Sequence, residues 1–182
     1  MEITTSQVLK ILYIISWIIF VGLCIEAAAF IFSAVFIAAV HPVEPGFFYT
    51  DIDLSALYKY DRGHFFVQVF FMCVTAVMRA IIFYLIIKIL HDKKLDMVQP
   101  FNKHVQRFIA NVSYLSFGTG MFSIWGTRYA EWLVKQGAEI PGATFLRLGG
   151  GDVWLFMGVT LYVIAQIFKK GIEIQTENEL TI

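Results

Sequence analysis

Apolar residues dominate four stretches of the chain, and polar residues gather between them. The runs cover 11–40, 65–90, 108–125 and, more briefly, 153–168. About 20 apolar residues at 1.5 Å each cross a hydrocarbon layer of roughly 30 Å, so runs of this kind read as spanning helices. The pattern predicts an all-α integral membrane protein, a four-helix bundle forming one domain over 1–182 with helices at about 11–40, 65–90, 108–125 and 153–168. The first run exceeds what a membrane needs, so this helix tilts or projects before His41-Pro42 stops it.

Polar positions inside the runs fall on helix faces. Gly22, Glu26, Ala29 and Ser33 share one face of the first helix, and Gln68, Met72, Thr75 and Arg79 share one face of the second. A charge near the middle of a span costs roughly 2.5 to 3.5 kcal/mol, so such residues seek partners. If the first helix runs outward and the second returns, Glu26 lies 15 residues from its inner end and Arg79 lies 11 from its own. That mismatch is about 6 Å, and an arginine side chain can bridge it. An intramembrane ion pair between Glu26 and Arg79 is therefore expected, fixing helix register or serving transport or sensing.

The third helix is the least apolar. Ser113, Ser116, Gly120 and Ser123 share a face, which suits tight packing or the wall of a polar cavity. Under the cavity reading, Gln68, Thr75, Asn111 and Ser116 are the candidate lining residues. The fourth helix carries Gly158, Tyr162 and Gln166 on one face, and Asp152 is its expected N-cap.

The two outer connections read as short interfacial helices. Leu54, Leu57, Tyr58 and Tyr60 alternate with charges over 51–61, with Asp53 as cap, and Tyr129, Trp132 and Leu133 offer the same kind of anchor in the second. Together these segments could form an outward cap carrying Asp53, Asp61, His64, Arg128, Glu131 and Arg147.

Composition agrees with the pattern: of 182 residues, 58% are hydrophobic and only 15% charged, against about 25% charged in a soluble domain. Mean hydropathy is +0.70. The net charge of zero says nothing about nucleic acid, direct binding of which is not expected, and the uneven placing of the cations is more useful than their sum. Lys10, Lys88, Lys93, Lys94, Lys103, Arg107, Lys169 and Lys170 lie on one side, and Lys59, Arg62, Arg128, Lys135 and Arg147 on the other. The positive-inside rule then places both termini in the cytoplasm of a multi-pass inner-membrane protein. The basic loop that includes Gln99-Pro100-Phe101 suits anionic lipid, and the tail 171–182 is acidic through Glu173, Glu177 and Glu179. The first run is too long for the core of a cleaved signal and is expected to stay in place.

Cys24 and Cys73 both fall in spans and read as buried thiols. No HExxH or phosphate loop is found, and the four histidines lie on both sides of the membrane. Asp61 and His64 on one turn read as a helix cap. No catalytic residue, metal site or cofactor is expected, and the chain is read as a non-enzyme.

The stretches Asp53-Leu-Ser-Ala-Leu-Tyr58, Leu90-His-Asp-Lys-Lys94, Leu146-Arg-Leu-Gly-Gly-Gly-Asp152, Ile167-Phe-Lys-Lys-Gly171 and Glu177-Asn-Glu-Leu-Thr-Ile182 resemble the bacterial membrane family DUF2975, over nearly the whole chain. The resemblance implies the four-helix topology and a small helix-turn-helix repressor as a neighbour and cytosolic partner; it supplies no functional residues. The expectation is a sensor or regulator acting with that partner, in contact with membrane lipid. The alternative is a small transporter or channel with a polar path near Glu26 and Arg79. Self-association into a homo-oligomer is left open.

Overall fold

The computed structural model describes residues 5–39, 52–92 and 101–179. The predicted stop at His41-Pro42, the start of the first outer segment at Asp51, the loop residues Lys93, Lys94, Gln99 and Pro100, and the last residues of the tail lie outside them. The regular elements among the described residues are all helices: α1 Thr5–Ala39, α2 Ser55–Tyr60, α3 Arg62–His91, α4 Lys103–Lys135 and α5 Gly151–Glu179. Three of these, α1, α3 and α5, are long and apolar enough to cross a membrane. Their exposed residues include Phe156 at 75%, Ile18 at 68% and Phe32 at 63%, surfaces suited to lipid and not to water.

Start signals are local. Asp61 accepts the His64 backbone N–H at 2.8 Å and caps α3, and Asn102 accepts from Val105 at 2.9 Å and caps α4. Asp152, expected as a cap, sits inside the first turn of α5, where its carboxylate faces the positive helix end.

The long helices pack in chain order. α1 lies on α3, α3 on α4 and α4 on α5, and among the described residues the backbones of α1 and α5 do not meet. The row is open, where a four-helix bundle was expected. All three pairs are antiparallel: Tyr13 meets His91 and Phe20 meets Tyr84 across α1 and α3. A Cβ on Gly118 would touch Met78, and one on Gly126 would touch Phe71. Glycines let α5 approach α4 most closely: a Cβ on Gly158 would sit 2.8 Å from the Phe117 nitrogen, and one on Gly151 would sit 3.1 Å from that of Ile124. From these registers, Lys88, Arg107 and Lys169 fall at one level of the row within about one helical turn.

α4 runs on for eleven residues past Ile124, about 16 Å, and the connection 136–150 comes back down beside it to reach Gly151. Tyr129, Trp132 and Leu133 are thus the last turns of α4, and no separate helix forms in that connection. Ser123 and Thr127 both donate to the Leu148 carbonyl and hold the descending chain to α4.

An apolar core sits at this end. Phe30, Leu54, Leu57, Phe65, Val69, Leu133, Leu146 and Leu148 are all buried in one cluster. The expected interfacial helix exists as α2, but Leu54 and Leu57 point into this core and not onto a bilayer. A core is favoured where elements project into water, since lipid supplies no hydrophobic drive for helices to associate.

Candidate functional site

Glu26 and Arg79 lie at one level. Glu26 is six residues beyond Phe20 and Arg79 five before Tyr84, so the contact between those rings leaves a difference of about 1.5 Å along the axes. Arg79 is nine residues from Lys88, roughly 14 Å along α3 from the basic level. No salt bridge or hydrogen bond joins the two side chains directly. Arg147, from the descending connection, stands between them.

The Arg79 guanidinium donates through Nη1 to the Arg147 carbonyl at 2.9 Å, across 68 residues of chain. The Arg147 Nε lies 3.9 Å from Glu26 Oε1, an ion pair too long to be a hydrogen bond. Trp154, in the first turn of α5, lies with its ring centre 5.7 Å from the Arg79 Cζ, a cation–π contact. Arg147 adopts φ 58°, the left-handed region that costs a non-glycine residue roughly 1 to 2 kcal/mol. Gly150, three residues on, has φ 75° and turns the chain into α5.

The cluster therefore ties three elements together: α1 through Glu26, α3 through Arg79 and the connection through both the backbone and side chain of Arg147. The residue pattern alone assigns Arg147 to the outer cap and gives Trp154 no role. One signal was available. Arg147 is flanked by Leu146 and Leu148, both buried, which marks a segment that re-enters an apolar environment.

The other candidates do not converge on this cluster. Gln68 is fully buried with neither amide atom hydrogen-bonded, but it lies eleven residues, or roughly 16 Å, from Arg79 along α3. Thr75 is buried and donates to the carbonyls of Phe71 and Met72 in its own helix. Ser116 is buried with an unpartnered hydroxyl at nearly the level of Arg79, whereas Asn111 is exposed. The polar face of α4 is used mainly in packing: Ser113 donates to the Gly158 carbonyl at 2.8 Å, Thr119 to that of Leu115, and Ser123 to that of Leu148.

At the capped end, His64 Nδ1 and the Tyr129 hydroxyl are 2.6 Å apart, and Tyr60 donates to the Gln136 carbonyl, joining α2 and α3 to the end of α4. Asp53 accepts the Ser55 N–H at 2.9 Å, and the hydroxyl and N–H of Ser55 hold its carboxyl below the usual carboxylate value. Arg128 and Glu131 line a shallow cleft of about 360 Å³ with Gly149, Gly150, Gly151 and Asp152. The six residues expected in the cap are thus distributed among separate tasks. Among the described residues, no group of three His, Cys, Asp or Glu side chains could hold a metal ion.

The model of a protein family of unknown function, DUF2975, matches residues 49–182. The chain belongs to the DUF2975 family. The match takes in Arg79, Arg147, Trp154 and every motif that carried the resemblance, while α1 with Glu26 precedes it. No curated protein and no solved structure matches the chain.

Proposed function

We propose that the protein is a multi-pass membrane sensor without enzymatic activity. It passes a change at its capped end to a cytosolic partner of the helix-turn-helix class. The observation that carries this reading is the double hold on Arg147: Arg79 grips its carbonyl and Glu26 faces its guanidinium. A displacement of the 136–150 connection cannot then occur without altering the contacts of both α1 and α3. Those two helices lead to the opposite end of the row, where the basic level of Lys88, Arg107 and Lys169 supports a cytoplasmic reading under the positive-inside rule. There α5 continues as helix past Lys170 through Glu173 and Glu177, an acidic extension that suits a basic partner. Lipid contacts the flanks of the row.

The small transporter is the weaker reading, because the hydroxyls of α4 are largely spent on backbone carbonyls and Asn111 is exposed. The test is purification in mild detergent from native membranes, with co-eluting proteins identified by mass spectrometry. A stoichiometric DNA-binding protein that is lost on truncation after Gly171 is expected. A clean sample carrying only lipid or solute rejects the partner, and flux in proteoliposomes would then test transport.

A further inference from the structure

The Glu26–Arg79–Arg147 cluster is unbalanced: one carboxylate faces two guanidiniums. Arg79 satisfies one of its nitrogens on the Arg147 carbonyl, but its Nε and Nη2 are buried without a hydrogen-bond partner. Arg147 makes only the long 3.9 Å approach to Glu26 and keeps its side chain half exposed. The charged groups that bear on Arg79 are Glu26 and Arg147 themselves. Asp152 and Glu131 line the separate cleft beside Arg128. A buried guanidinium with unmet N–H groups is costly, and the planar donors that remain suit a carboxylate or a phosphate. Trp154 walls the site with an apolar face, and α1 and α5 do not pack against each other across it.

We infer that the cluster is a binding site for one anionic group, carboxylate or phosphate, received between the guanidiniums of Arg79 and Arg147. Glu26 is the internal competitor, holding Arg147 when the anion is absent. The consequence is a sign that a structural salt bridge would not produce: removing the acid strengthens binding. The site stands on its own charge balance, independent of any cytosolic partner. Its anion could come from a lipid headgroup or from solution, and the two arms of the test separate these sources.

The full-length protein is placed in nanodiscs of phosphatidylcholine, and bound anions are counted by native mass spectrometry. One arm is titrated with inorganic phosphate, and the other is doped with phosphatidic acid. One anion per chain is expected in at least one arm. Retention of phosphate alone assigns a soluble anion, and retention of phosphatidic acid, alone or with phosphate, assigns a headgroup. Arg147→Gln should weaken retention by about tenfold or more, and Glu26→Gln should tighten it several-fold. The half-exposed Arg147 makes its variant the one least prone to misfold, so that measurement decides even if Glu26→Gln fails to fold. No retained anion in either arm, retention indifferent to Arg147→Gln, or retention weakened by Glu26→Gln overturns the proposal.

Discussion

Replacing Glu26 by Gln and Arg147 by Met, singly and together, tests whether the connection is electrostatically coupled to α1. Two unit charges about 4 Å apart interact by about 4 kcal/mol at an effective dielectric of 20 and by about 1 kcal/mol in bulk water. The observed separation is 3.9 Å, with Arg147 50% exposed and Glu26 19% exposed, so solvent screening moves the coupling toward the lower figure. A coupling energy on the order of 1 kcal/mol is expected. The assay is reversible unfolding in mixed micelles, followed by tryptophan fluorescence, for all four proteins. The single variants should differ in order. Glu26→Gln leaves two guanidiniums facing each other with no acid, whereas Arg147→Met leaves Glu26 with Arg79 and keeps the Arg147 carbonyl as its acceptor. The loss of Glu26 should therefore cost more than the loss of the Arg147 side chain. Effects that add within about 0.3 kcal/mol, or a costlier Arg147→Met, would refute the coupling.

Two further outcomes follow from the packing and the cap. Gly158→Ala places a methyl 2.8 Å from the Phe117 nitrogen, a backbone atom that cannot step aside, and should destabilise by roughly 1 to 3 kcal/mol in the same assay. Gly22→Ala meets nothing within 4 Å and should be neutral or stabilising by up to about 1 kcal/mol, so equal losses in the two variants would contradict the helix contacts described. Asp53 has a depressed folded value, so its contribution to the start of α2 is present above the unfolded value of 3.8 and is lost as pH falls through the folded one. Hydrogen exchange of α2 should show protection that drops on acidification below that range in the wild type, and Asp53→Asn should remove the step. An identical acid limb in both proteins would exclude this carboxylate as its source.

The sequence was sufficient to find the helices and the depth of their charges. Unbroken apolar runs make α1, α3 and α5, and counting residues from the run ends already put Glu26 and Arg79 within about 6 Å of one level. The start of α3 was legible as well, because Asp61 and His64 are three residues apart and the cap bond is local. The extents of the helices were less so. α4 extends to Lys135 because its final turns bury Leu133 against the cap, and hydropathy alone does not register that contact.

The partners of the central charges were decided by tertiary structure. Hydropathy and periodicity encode a residue's depth and its face on a helix, two coordinates that any spanning segment carries within itself. They do not encode which connection folds back against that face. Arg147 reaches Arg79 only because α4 overshoots the start of α5 and the chain between them must descend past Gly126, with its Leu148 carbonyl tied to Ser123 and Thr127. The same holds for Leu54 and Leu57: their spacing marks an apolar face, but the connection at 136–150 supplies the leucines that bury it. A hydrogen bond spanning 68 residues depends on the closure of every element between its ends, so it belongs to the fold and not to any segment of the sequence.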